Sequence, residues 1–142
     1  MKMTPSTALA ELIAQHDNLR SLMDHCEDLA DSLDGQADGD PLPLTRELAR
    51  LRVAFDAHNQ YEEQLLRPVL LEHDTHGTVR VERMIADHVH EHRTIGSRLD
   101  SPATADVRDV IETLRAHLDA EERYLLSARV LRDGAVSIHV VG

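Results

Sequence analysis

The chain has 142 residues, a formal net charge of −11 and ten histidines, and Lys2 is its only lysine. This length suggests one domain with a substantial hydrophobic core, and the acidic balance argues against nucleic-acid binding. The sequence has no apolar run of the length that spans a membrane and no apolar signal-peptide core at its N-terminus. Since Cys26 is the only cysteine, an internal disulfide is excluded and a cytoplasmic location is expected.

The first predicted helix covers about residues 6–34 and follows Thr4-Pro5, because proline is favoured at the first helical position. Apolar residues recur along it at intervals of three and four, and His16 lies within this apolar seam. His25 is about half a turn away from the seam and is expected to point elsewhere. A loop over about residues 34–43 is indicated by Gly, Asp and Pro.

The second predicted helix covers about residues 43–72 and carries a polar pair within its apolar seam. His58 and Glu62 are four residues apart, so they share one face of the helix with Phe55 and other apolar residues. Burying an unpaired carboxylate costs several kcal/mol, and a metal ion is the expected compensation. Pro68 is expected to kink or end this helix, and Gly77 suits a helix C-cap.

The third and fourth predicted helices cover about residues 78–99 and 102–130. His88 and His92 form a four-residue pair on the inner face of the third helix, whereas His90 is expected to face solvent. The seam of the fourth helix includes His117, Glu121 and Tyr124. The tail over residues 132–142 alternates like a strand, and its role stays open.

Four amphipathic helices joined by short loops predict an all-α fold, an antiparallel up-down-up-down four-helix bundle over residues 1–131 followed by the short C-terminal tail. Five imidazoles and two carboxylates are expected to face its interior. Two metal ions could share such a set, and imidazole with carboxylate suits iron, although zinc and manganese are chemically possible. The predicted metal ligands are His16, His58, Glu62, His88, His92, His117 and Glu121.

Other metal motifs are absent from the sequence. The ferritin-like di-iron site uses Glu-x-x-His pairs, and no glutamate here lies three residues before a histidine. The chain also lacks the zinc-protease motif His-Glu-x-x-His, a Cys-x-x-Cys pair and the glycine-rich nucleotide-binding loops.

The spacing of these residues resembles the hemerythrin-like family of non-haem di-iron proteins, whose pattern is H…HxxxE…HxxxH…HxxxxD or HxxxE. Here it reads His16, His58-xxx-Glu62, His88-xxx-His92 and His117-xxx-Glu121, over about residues 7–130. The resemblance implies two irons, with an oxo or hydroxo bridge between them. It implies that Glu62 and Glu121 bridge the metals, and that the other ligands are divided as His88, His92 and His117 on one iron and His16 and His58 on the other.

Two features of the site stay open in the sequence. Glu122 stands at the alternative HxxxxD position, so Glu121 and Glu122 compete for the bridging role, and Glu121 is favoured because it matches the second helix. Tyr61 and Tyr124 are most simply packing residues, but a phenol near iron could ligate it or donate a proton.

The first functional hypothesis is O2 binding for storage, delivery or sensing. The alternative is a di-iron enzyme acting on peroxide or nitric oxide, like a peroxidase or catalase, or a protein that handles iron or oxidative stress. Aromatic residues are only 2% of the chain, whereas family carriers line the pocket with bulky aromatics, and a wetter pocket favours the enzyme. The expected partner is O2, another diatomic or peroxide, and neither the choice between these hypotheses nor the oligomeric state follows from the sequence.

Overall fold

The structure, a computed structural model, describes residues 4–98 and 104–126. Within them the chain forms four helices, α1 (Pro5–Asp34), α2 (Leu42–His73), α3 (Gly77–Arg98) and α4 (Thr104–Tyr124), and no strand. The predicted all-α fold is therefore confirmed, whereas the strand-like tail and the boundary at residue 131 lie outside the described residues. None of the helices in this part of the chain is both long and apolar enough to cross a membrane.

The helix ends follow local sequence rules with two departures. Thr4 caps α1, its hydroxyl accepting a hydrogen bond from the backbone N–H of Thr7 at 3.3 Å, and Pro5 opens the helix as predicted. Pro68 does not end α2, which continues to His73. Helix α4 ends at Tyr124, where the backbone N–H of Leu126 bonds to the carbonyl oxygen of Glu121, five residues earlier, and the predicted end near residue 130 lies outside the described residues.

Side-chain pairs between neighbouring helices show that each pair runs antiparallel. Arginines of α4 reach acids of α1, with later α4 positions meeting earlier α1 positions: Arg108 pairs with Asp31, and Arg115 pairs with Asp24. The same reversal joins α1 to α2, α2 to α3 and α3 to α4. Each helix therefore contacts two neighbours in an up-down-up-down ring.

The apolar core consists of two separate clusters. One holds Phe55 among side chains from all four helices, and the other gathers Leu12, Leu66 and Met84 with Leu125 and Leu126 just beyond α4. The stretch between them on each helix carries the histidines and glutamates of the predicted site. A polar layer is thus enclosed between two apolar layers, which is what the interrupted seams predicted.

Gly77 permits close approach between the start of α3 and the end of α2. A Cβ atom at this position would lie 2.0 Å from the carbonyl oxygen of Leu70 and 3.1 Å from Cα of Leu71. The glycine was expected as a helix C-cap, but it is the first residue of α3. Its role is steric, since the missing side chain lets the turn fold against the α2 backbone.

We expect Gly77→Ala to lower the free energy of unfolding by about 1–3 kcal/mol, because the new methyl group overlaps backbone atoms that cannot rotate away. For a chain of this size the melting temperature should fall by roughly 3–10 °C. The matched control is Gly35→Ala, whose added Cβ would meet its nearest atoms at an ordinary 3.7 Å, so a change within about 0.5 kcal/mol is expected. Equal melting temperatures for the two variants would contradict this assignment.

Candidate metal centre

Side chains from three helices converge at one point in the polar layer. His16 from α1, His58 and Glu62 from α2, and Glu121 from α4 each offer one ligand atom, and these atoms lie within 4.8 Å of one another. Helix α3 adds His88, whose Nε2 lies 2.9 Å from Glu62 Oε1 and 3.8 Å from Glu121 Oε2. Five of the seven predicted ligands therefore meet, and all four helices contribute. The ligand role of each remains a prediction.

The oxygen and nitrogen atoms at the centre of this cluster are of the kinds that bind a cation. Glu62 Oε2 is fully buried and has no hydrogen-bond partner, although His58 Nε2 lies 3.0 Å away. His16 Nε2 and His58 Nε2 face each other at 3.1 Å. A buried carboxylate oxygen without a hydrogen bond is costly, and a metal ion bound by these atoms would compensate for it. The residues present therefore fit a metal.

The outer nitrogen atoms of the three imidazoles are each held by an oxygen atom. His16 Nδ1–H donates to Glu122 Oε2 at 3.0 Å, His58 Nδ1–H to the amide oxygen of Gln15 at 2.7 Å, and His88 Nδ1–H to Glu63 Oε1 at 3.0 Å. These acceptors fix the proton on Nδ1, so the inner Nε2 atom is the one available as a ligand. This is the arrangement that metal-binding histidines adopt in proteins.

Electrostatics within the cluster favour charged imidazoles when no metal is bound. Burial lowers the pKa of His16, but hydrogen bonds with Glu121 and Glu62 outweigh burial and raise the pKa to about 10. The same balance raises the pKa of His88 to about 11 and also raises that of His58. Burial alone would raise the pKa of Glu121, but the three imidazoles lower it well below its usual range. Protons therefore compete with any cation for these nitrogens.

His92 lies outside this cluster. Its side chain is 58% exposed, and its Nδ1 atom lies 3.1 Å from Asp56 Oδ1. The prediction that it faces the interior was wrong, because the buried row of α3 runs through Met84, His88, Glu91 and Ile95. An inner row with steps of four, three and four leaves position 92 at its edge.

His117 is half-buried beside the cluster and not within it. Its Nδ1–H donates to Glu91 Oε1 at 3.2 Å, and Asn59 donates to the other oxygen of Glu91 at 3.2 Å. Glu91 and Asn59 are buried polar residues that the sequence reasoning missed. The signal that could have found Glu91 was its position three residues after His88 and seven after Met84, which is an inner spacing.

The structure separates the roles of the two adjacent glutamates of α4. Glu121 reaches the inner nitrogen of His16 at 3.0 Å, whereas Glu122 holds the outer nitrogen of that ring and pairs with Arg20. The favoured choice of Glu121 agrees with this geometry, and its bridging role stays a prediction.

Within the described residues, neither tyrosine hydroxyl forms a hydrogen bond with the cluster. The Tyr61 hydroxyl donates to Glu11, and the predicted inward position of Tyr124 was wrong, because its side chain is 61% exposed. The expectation that His90 faces solvent is confirmed.

A cavity of about 520 Å³ between α3 and α4 leads to the cluster. Its polar lining includes Glu91, His117 and Glu121, and its apolar side chains include Met84 and Leu125. Further polar residues on the lining are His76, Arg80, Arg83 and Asp87. Its volume lies in the range of small-molecule sites and is far larger than a diatomic ligand requires. The side of the site next to Glu121 is therefore open to water and to small solutes.

A comparison with known families agrees with this geometry. The profile described as Hemerythrin HHE cation binding domain matches residues 7–128. No curated protein and no solved structure gives a significant match to the chain. The family match covers all four helices and the whole cluster of histidines and glutamates. The chain therefore belongs to the hemerythrin HHE cation-binding family.

Proposed function

We propose that this protein holds two non-haem irons, joined by an oxo or hydroxo bridge, and binds O2 at that site for storage, delivery or sensing. The observation that carries the proposal is the convergence of His16, His58, His88, Glu62 and Glu121 between two apolar clusters. Imidazole and carboxylate together suit iron. A ferrous pair with an open coordination position supplies the electrons and the binding position that O2 requires.

The protein's own residues prepare this site in three ways. Glu62 and Glu121 supply negative charge that neutralises the cations, and their burial makes that attraction strong. Gln15, Glu63 and Glu122 orient the imidazoles through the outer nitrogen atoms. The apolar clusters on both sides hold the four helices at the spacing that brings these groups together.

A second candidate function is the reduction of peroxide, and the cavity between α3 and α4 favours it. Reversible O2 binding requires that water and protons be kept from the site, since both promote oxidation. Here the cavity has a polar wall containing Glu91 and His117 and brings solvent close to Glu121. An open, polar approach suits a site that takes up peroxide and releases water.

We expect Glu62→Ala to lose iron and to lose the stabilisation that metal provides, since binding to the folded state alone is folding free energy. At a metal concentration about 100 times the dissociation constant, the wild type should gain about 2.7 kcal/mol, a rise in melting temperature of roughly 5–10 °C. His58→Ala should behave in the same way. The control His90→Ala removes an exposed ring and should keep full metal content.

For each variant, the iron content is measured by metal analysis, and the melting temperature is measured with and without iron. A Glu62→Ala protein that keeps wild-type iron content and the wild-type rise in melting temperature would contradict the site.

Metal affinity should rise with pH. The pKa values of about 10 for His16 and about 11 for His88 mean that both rings are protonated in the metal-free protein at neutral pH. In that state the stabilisation from the raised pKa values is complete below about pH 6.5 and is lost as pH rises through about 10 to 11. A cation must displace both protons, so its affinity should strengthen by about 100-fold for each pH unit between about pH 6 and pH 8.

Titration with cobalt(II), which is stable in air and has a visible spectrum, at several pH values measures this slope. Affinity that does not change with pH over that range would show that His16 and His88 release no protons on metal binding.

The choice between the two functions is made by an anaerobic spectrum of the reduced, iron-loaded protein before and after addition of air. Two irons per chain and a stable visible band that disappears when O2 is removed are expected for O2 binding. Immediate oxidation without such a band, followed by consumption of added peroxide, would favour the second function. Zinc or no metal, after expression with iron supplied and purification without chelators, would contradict both.

A further inference from the structure

A second polar layer lies one helical turn from the convergent cluster. Asn59 is three residues before Glu62, Glu91 is three residues after His88, and His117 is four residues before Glu121. One turn of helix advances about 5.4 Å. Because the helices run antiparallel, these three residues meet on the same side of the cluster, and their 3.2 Å contacts show that they do.

Glu91 is the buried carboxylate of this second polar layer. Its side chain is only 3% exposed, and it sits in the inner row of α3 at the level where a metal ligand was expected from His92. Burying a carboxylate costs several kcal/mol unless positive charge meets it. Its partners here are the neutral amide of Asn59 and the ring of His117. The positive charge that Glu91 needs therefore comes either from a proton on that ring or from a cation in its place.

The separation between Glu91 and His117 fits two ligands of one ion. Two atoms that each lie about 2.1 Å from a cation are about 3.0–3.4 Å apart for angles between octahedral and tetrahedral values. The distance from Glu91 Oε1 to His117 Nδ1 is 3.2 Å. Glu121, from the convergent cluster, shares a cavity wall with both residues, and the cavity of about 520 Å³ leaves room for an ion and an added ligand.

We propose that Glu91 is a metal ligand of this protein and that, with His117, it holds the second of the two cations beside Glu121. The cation takes the place of the proton between Glu91 Oε1 and His117 Nδ1. His92 remains outside, paired with Asp56, so the site uses four imidazoles and three carboxylates. This assignment rests on the proposed two-metal function. It changes which residues bind the second metal, with Glu91 in place of His92.

The rival explanation is that Glu91 only orients His117, as other oxygen atoms orient the remaining imidazoles. Glu91→Gln separates the two, because an amide oxygen can still accept from the ring nitrogen. Gln15 already does this for His58 at 2.7 Å. If Glu91 orients the ring, the variant keeps both metals. If Glu91 is a ligand, the loss of its charge removes one of the two ions.

The experiment is metal analysis after equilibrium dialysis of wild type and three variants against cobalt(II), repeated with ferrous iron under nitrogen. We expect two ions per chain in the wild type and one in Glu91→Gln. The matched control is Glu63→Gln, which replaces a carboxylate that only orients His88. Its amide oxygen can still accept from the outer nitrogen of that ring, as Gln15 does for His58, so this variant should keep two. His92→Ala should also keep two, and far-ultraviolet circular dichroism checks that every variant is folded.

Two ions in Glu91→Gln would overturn the assignment, and so would the loss of an ion in His92→Ala. A loss in Glu63→Gln equal to that in Glu91→Gln would also overturn it, because removal of any orienting carboxylate would then explain the result. Fewer than two ions in the wild type would instead contradict the two-iron function, and this assignment with it. A wild type with two ions and a His92→Ala protein with one would contradict this assignment alone.

Discussion

Buried carboxylates in this bundle must meet positive charge, and this requirement connects its sequence, fold and chemistry. The side chains of Glu62 and Glu91 are buried between two apolar clusters, where their hydration is reduced. Imidazoles surround them, and proton uptake by these rings is one way to balance the charge. A metal ion is the other. The same groups thus bind protons or cations, and the fold holds them at a distance at which the two compete.

Oxygen atoms beside the outer nitrogens of the imidazoles also affect how strongly these rings can bind a cation. The outer nitrogen, Nδ1, of each of the three imidazoles of the cluster lies next to a carboxylate or amide oxygen. Glu122 and Glu63 supply carboxylates, and Gln15 is the neutral exception. A carboxylate makes an imidazole a stronger donor than an amide does. The ring of His58 is therefore the weakest donor of the three.

The way the helices are joined decides where the site opens. Arginines tie α4 to α1 at three levels, through Arg108, Arg115 and Arg20, each of which pairs with acids across the interface. Between α3 and α4 the described residues pack less closely, and there the cavity reaches Glu121. Solutes therefore approach from that side, past Glu91 and His117. A small molecule bound beside Glu91 and His117 would therefore lie on the path by which solutes reach the cluster.

The sequence by itself determined the four helices, their antiparallel order and the level of the polar layer, because a periodic apolar seam and short loops allow few other packings. It also determined that His16, His58, Glu62, His88 and Glu121 meet, since each interrupts a seam near its centre. Only the tertiary structure decided the rotation of α3, which turns Glu91 inwards and His92 outwards. Neighbouring positions differ by 100° around a helix. A helix can therefore rotate about its axis by half that angle and still bury the same apolar residues. The packing of α3 against α2 and α4 sets that rotation, because spacing within α3 allows both Glu91 and His92 on the inner face and does not choose between them.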